Sequence, residues 1–204
     1  RQNIAVGVTA TCLREAQDIA RAGADFVVAQ GWEAGGHRGS FDPSQPDEEL
    51  PILALVRSLL DCLSIPIVAA GGMMDGRDIA AVLAAGATAA QLGTAFLCCD
   101  EAGTARAHRE ALREGEEETV FTSAFSGRPA RGMRNTFIDA MADKSVLAFP
   151  QQNTLTGALR RWAASAGDVG FQSVWAGTGR CKIRSMPAAQ LMATIERELS
   201  EAAI

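Results

Sequence analysis

Apolar positions along this chain follow two alternating rhythms. Short continuous apolar runs recur at 4–9 (IAVGVT), 26–30 (FVVAQ), 65–70 (IPIVAA) and 89–92 (AAQL). Runs of this length, closed by glycine, fit parallel strands buried on both faces. Between them the spacing lengthens to that of amphipathic helices, predicted over 13–22, 51–63 and 77–85. Thr11 is the expected N-cap of the first helix, and Gly23 lies just past its end. Pro51 opens the second helix, while Asp75 and Gly86 bracket the third. The connection 31–50 is long, polar and rich in glycine.

The pattern is a repeat. Residues 4–31 and 65–94 each read strand, amphipathic helix, Ala-Gly-Ala, then a strand carrying Gln before Gly. Ala22-Gly23-Ala24 and Ala85-Gly86-Ala87 lie 63 residues apart, the length of about two βα units. Such alternation implies a parallel sheet with right-handed crossovers, as in a (β/α) barrel or an open doubly wound sheet. After Leu97 the rhythm changes. A charged helix over 104–114 precedes the acidic Glu116-Glu117-Glu118, and 119–136 holds turn residues with little periodicity. Helices are expected over 156–166 and 188–202, with the apolar, glycine-bearing FQSVWAGTG at 171–179 between them. This tail reads as helical decoration on one domain.

Composition narrows the possible functions. A net charge of −5 over 204 residues argues against a nucleic-acid footprint, which would cluster Lys and Arg. The five cysteines, Cys12, Cys62, Cys98, Cys99 and Cys181, have no metal-ligand spacing and an odd count. They read as small, reduced core residues of a cytoplasmic protein, with no metal. No apolar run approaches the length of a membrane span.

Candidate chemistry gathers where parallel folds hold their ligands, at the carboxyl ends of strands. Three such ends are rich in glycine and polar groups: Gln30 to Gly39, Ala70-Gly71-Gly72, and Gln91-Leu92-Gly93-Thr94. Glycine there lets a ligand approach the backbone and lets amides point at an anion, with phosphate the usual occupant. Neither a Gly-x-Gly-x-x-Gly after a strand nor a P-loop motif is present. Of the two histidines, His108 falls on a charged helix and reads as solvated surface, whereas His37 follows Gly35-Gly36 beside the candidate anion site. An imidazole there can serve as base or donor near neutral pH. Arg128 and Arg131 are either anion attractors or surface arginines in a rigid turn. Trp32, Trp162 and Trp175 read as packing residues, and Glu33 has no partner carboxylate at a readable spacing.

Together, AQGWEAGGHRG (29–39), AAGGMMDG (69–76), QLGTAFL (91–97), FSGRPARG (125–132) and SVWAGTG (173–179) resemble the nitronate monooxygenase family, formerly called 2-nitropropane dioxygenases. The resemblance implies a TIM-barrel fold with FMN. It implies FMN contacts at Gln30 and Gly35, at Gly71 or Gly72, and across Gln91, Leu92, Gly93 and Thr94, with His37 as the active-site histidine. It further implies oxidation of an alkyl nitronate, such as propionate 3-nitronate, with O2 to a carbonyl compound and nitrite. Val174 and Thr178 stand where the family has Leu and Gln. Alternatives are an FMN-dependent enoyl-acyl-carrier-protein reductase or NADH:quinone reductase on the same barrel, or an inactive flavin-binding fragment.

The strand count qualifies the fold. Only four barrel strands can be placed, whereas a closed (β/α)8 barrel needs eight. The expectation is therefore the C-terminal half-barrel over 1–118, plus a mostly helical extension over 119–204 that packs on the barrel and active site. The N-terminal half-barrel of the same protein would be its missing partner, and the open sheet would expose its edges and one apolar face.

Overall fold

The computed structural model describes residues 4–202. Chain order runs β1 (Gly7–Ala10), α1 (Leu13–Arg21), β2 (Phe26–Gln30), β3 (Gly36–His37), α2 (Ile52–Leu60), β4 (Ile67–Ala70), α3 (Gly76–Ala84) and β5 (Ala89–Gln91). Then follow α4 (Arg106–Glu114), β6 (Thr119–Thr122), β7 (Ala130–Met133), α5 (Thr136–Ala140), α6 (Gln151–Leu155), α7 (Gly157–Ala166) and α8 (Ala188–Ala202). Strands β1, β2, β4 and β5 form one parallel sheet in that order. These are the four strands expected, with β1 and β5 as edges. The first strand starts later than its apolar run, at Gly7 rather than residue 4.

Register divides the sheet into two unlike faces. Ala10, Ala29 and Ala69 occupy aligned positions, as do Val27 and Ile67, and all are buried with Ile19, Leu55, Val56, Leu59 and Val82 from the three helices. Thr9, Val28, Val68 and Ala89 lie in register on the opposite face, and of these four only Val28 is buried. At the β1 edge, Val6 and Val8 are exposed.

The Ala-Gly-Ala corners behave alike. Gly23 and Gly86 have φ of +86° and +105°, a left-handed conformation that closes each helix where a side chain would be strained. Asp75 caps α3 as expected, accepting from the Asp78 amide at 2.9 Å. The first helix is different. Cys12, not Thr11, occupies its N-cap position, while the Thr11 amide and hydroxyl both donate to the buried Glu15 carboxylate.

The extension contains more than helices. The 119–136 stretch, which lacks periodicity, forms the β6–β7 hairpin, and β3 adds to it through Gly36–Arg131 and His37–Ala130 pairs. Short strands joined by a turn leave too few residues to establish a period. The last helix, α8, lies on α3. There Glu198 accepts from the Gly76 amide at 3.0 Å and pairs with Arg184 at 2.9 Å. Among the described residues no helix is long and apolar enough to cross a membrane.

Several packing expectations are corrected. Trp162 is 56% exposed, because it sits on the outer side of α7. Cys98 and Cys99 are buried, but Cys62 and Cys181 are exposed on element ends. His108 is half-buried, with Nε2 3.3 Å from the Trp175 carbonyl, because the extension folds back over α4.

Candidate functional site

The carboxyl ends of β2, β4 and β5 converge on a cleft of about 120 Å³, lined by Gln30, Ala34, Gly35, Ala70, Gly71, Gly72, Met73, Gln91, Gly93 and Thr94. Of the residues that the resemblance implies as FMN contacts, all line it except Leu92, which packs partly buried behind it; from the Gln30–Gly39 strand end, only Gln30, Ala34 and Gly35 take part. Gly71 and Gly72 have φ of +127° and +72°, which turns the chain sharply after β4. The amides of Gly71, Gly72, Gly93 and Thr94 have no hydrogen-bond acceptor among the described residues. A Cβ on Gly93 would meet nothing within 4 Å, so that backbone faces open space.

Two side chains of the cleft are already engaged. Gln30 donates to the His37 carbonyl at 3.0 Å and accepts from the Gly39 amide at 2.8 Å. The Thr94 hydroxyl accepts from the Gly177 amide at 2.9 Å. Gly35 is fixed by close approach, since a Cβ there would lie 2.4 Å from the Gly177 nitrogen. The SVWAGTG segment is thereby locked against the strand-end loops.

His37 stands on β3, outside the cleft lining but tied to it through Gln30. Its Nε2 lies 2.8 Å from the Ser126 hydroxyl, and the Trp175 ring packs edge-on at 5.5 Å. Burial, and then the positive charges of Arg128 and Arg160, hold its pKa below the ordinary value. The ring is therefore neutral near pH 7.

Two buried arginines frame the loop that carries His37. Arg38 grips Asp47 through two nitrogens, at 2.7 and 3.0 Å, and donates to the carbonyls of Gln30 and Gly31. Arg131 donates twice to the Trp32 carbonyl, at 3.0 and 2.8 Å, and through Nη1 to the Thr119 carbonyl and hydroxyl at 3.2 and 3.4 Å. Both guanidinium groups lie 5.4 Å from the Trp32 ring centroid. Arg131 is thus neither a surface residue nor a free anion attractor. Arg128 donates to the Ser40 carbonyl, and its buried Nε has no partner among the described residues.

Sequence reasoning missed Ser126 and gave Trp175 only a packing role. Both lie in segments that carry the resemblance, FSGRPARG and SVWAGTG, but neither shows a periodic signal, and their meeting with His37 depends on contacts distant in sequence. Glu33 proves structural: its carboxylate accepts from the Ile52 amide at 2.9 Å, at the start of α2.

Comparisons with known proteins point one way. A family model for nitronate monooxygenase matches residues 1–198. A nitronate monooxygenase from Paraburkholderia phytofirmans is 46% identical over 197 residues, covering 95% of this chain and 54% of that protein. One from Pseudomonas aeruginosa is 46% identical over 200 residues, covering 96% and 57%. A nitroalkane oxidase structure from Streptomyces ansochromogenes superposes with a TM-score of 0.94 at 46% identity, covering 97% of this chain and 58% of that one. FabK from Thermotoga maritima gives 0.79 at 30% identity, covering 97% and 61%. The chain spans a little over half the length of the curated relatives it matches. It belongs to the nitronate monooxygenase family.

Proposed function

We propose that this chain supplies one part of an FMN enzyme that oxidises alkyl nitronates, of the propionate 3-nitronate type, with O2 to a carbonyl compound and nitrite. The observation that carries the reading is the convergence of Gln30, Gly35, Gly71, Gly72, Gln91, Gly93 and Thr94 on one cleft at the carboxyl ends of three parallel strands. Four unpaired amides in that cleft fit a phosphate group, because oriented N–H groups stabilise an anion without a counter-charged side chain. Bound there, the flavin would supply the redox chemistry that protein side chains lack.

The chain's own residues divide the remaining work. The amides of Gly71, Gly72, Gly93 and Thr94 hold the phosphate, while Gln30, Gly35 and Gln91 border the rest of the cofactor. Leu92 supports the strand end from behind. His37 orients the substrate, or holds its proton when the substrate arrives as a carbon acid. In this reading residues 1–118 form the barrel portion, and 119–204 form an extension that covers the active site. The contact from the Gly177 amide to Thr94 supports that division.

The test is a flavin spectrum of the intact protein, followed by nitrite release on adding propionate 3-nitronate and O2. Yellow protein and stoichiometric nitrite are expected. Colourless protein that refuses FMN overturns the cofactor assignment. Bound flavin that turns over NADH and an acceptor, but no nitronate, moves the protein to the reductase reading.

A further inference from the structure

Ser126 is 2% exposed, yet its hydroxyl meets three polar atoms. These are His37 Nε2 at 2.8 Å, the Arg128 carbonyl at 3.2 Å and the Arg128 amide at 3.2 Å. An amide N–H only donates and a carbonyl only accepts, while a hydroxyl offers one proton and two lone pairs. One arrangement satisfies all three contacts at once. The hydroxyl donates to the Arg128 carbonyl, accepts from the Arg128 amide, and accepts again from a protonated His37 Nε2.

The opposite tautomer breaks this set. The Ser126 proton would have to turn towards Nε2, and the Arg128 carbonyl has no other donor among the described residues. His37 Nδ1, meanwhile, has no partner among them. His37 is an exposed residue, but its backbone and one face of its ring are held as well. Gln30 fixes the His37 carbonyl, β7 pairs with its backbone at Ala130, and Trp175 packs against the imidazole.

We propose that Ser126 is a positioning residue that holds neutral His37 as its Nε2–H tautomer and leaves Nδ1 as the ring's proton acceptor. The proposal rests on the reading of His37 as the site's base. When a carbon acid is the substrate, its C–H bond breaks and an N–H bond forms at Nδ1. The electron pair stays on the substrate as nitronate, and the positive charge appears on the ring. The resulting imidazolium still donates from Nε2 to Ser126, so no hydrogen bond has to rearrange.

Nitrogen-15 spectra of the intact protein, labelled at histidine, test this directly. The His37 signals are identified by their loss in His37→Gln. In the wild type, Nε2 is expected to be protonated and Nδ1 bare at neutral pH. Ser126→Ala should give a mixture of tautomers and, with a nitroalkane as the carbon-acid substrate, lower kcat about tenfold with little change in KM, and Ser126→Thr should restore the single tautomer. A wild-type ring protonated at Nδ1, a charged ring at neutral pH, or an unchanged tautomer in folded Ser126→Ala each overturns the proposal. Should Ser126→Ala fail to fold, the wild-type spectrum still decides. Full turnover in His37→Ala, with the Nε2–H form intact in the wild type, would instead remove the base reading and keep the tautomer assignment.

Discussion

The two repeated βα units end in loops built on opposite principles. After β2, the chain enters a long loop whose shape is fixed by side chains: Arg38, Arg131 and Trp32 stack, and the arginines satisfy four backbone carbonyls. After β4 and β5, the turns are nearly bare backbone, with positive-φ glycines after β4 and, in both, amides that have no acceptor among the described residues. Both units share the Ala-Gly-Ala corner and the sheet register, so the scaffold does not cause the difference. The contrast suits the two tasks proposed above for these loops. A reacting side chain needs a rigid mount, whereas an anion cradle needs free amides and space.

Breaking the rigid mount should give the largest effect. Arg131 is 6% exposed, and its guanidinium bridges Trp32 to Thr119 while lying 4.3 Å from the Phe121 ring centroid. Arg131→Ala should cost about 3 kcal/mol in urea unfolding, because it strands two part-buried carbonyls and opens a cavity under the Trp32 loop. Arg131→Lys should recover little of that, since an ammonium cannot fork between the same acceptors. A loss below about 1 kcal/mol in Arg131→Ala would mean that the loop holds its shape without the clamp.

Two glycines sharpen the contrast within the cleft itself. An alanine at Gly35 would press its methyl to within 2.4–2.5 Å of the backbone at Gly177 and Ala176. Gly35→Ala should therefore destabilise by about 2 kcal/mol through overpacking. Gly93 has an ordinary φ of −115° and open space in front of it. Gly93→Ala should leave stability within about 0.5 kcal/mol while weakening flavin or phosphate binding, read by equilibrium dialysis. Equal destabilisation by the two substitutions would make the cradle a packing feature. His37→Ala should likewise fold normally and bind flavin, while turnover falls by about two orders of magnitude.

The same contrast explains what could be read from the chain. The strand-end cleft is legible because each part is local: a strand run, its terminal glycines, and a polar residue beside them. The Asp75 cap and the glycine corners are local for the same reason. The mount is not legible because Arg131, Ser126 and Trp175 act across long sequence separations, while the Arg38 contacts, though close in sequence, lie in an irregular loop with no period. The Ser126 contact spans 89 positions, and for Arg131 the sequence leaves open an anion attractor or a surface turn arginine, neither of which is the buried clamp observed. The β6–β7 hairpin was missed because each strand is four residues long and both faces are covered, which removes the alternation that marks a half-buried strand.

The smallest expected effect is a pH dependence that separates the mount from the rest of the fold. Burial, with Arg128 and Arg160, lowers the folded pKa of His37 from 6.5. Burial also lowers that of His108, against a hydrogen bond to the Trp175 carbonyl. A lowered folded value means that the unfolded chain binds the proton more readily. The stabilisation is thus fully present above about pH 6.5 and is lost as pH falls through the folded values. Stability should therefore dip over this range, before the carboxylates titrate. Asp47 and Asp75 lose their contributions at lower pH. Despite their burial, the Arg38 hydrogen bond holds Asp47 below the usual carboxylate value, and the Asp78 amide with Lys182 does the same for Asp75. Urea midpoints measured from pH 7.5 to 5 in wild type, His37→Gln and His108→Gln resolve the two histidines. Each substitution should flatten part of the slope. If neither changes it, the segments around Ser126 and Trp175 do not hold these imidazoles in their neutral form, and His37 is then mounted for some purpose other than accepting a proton.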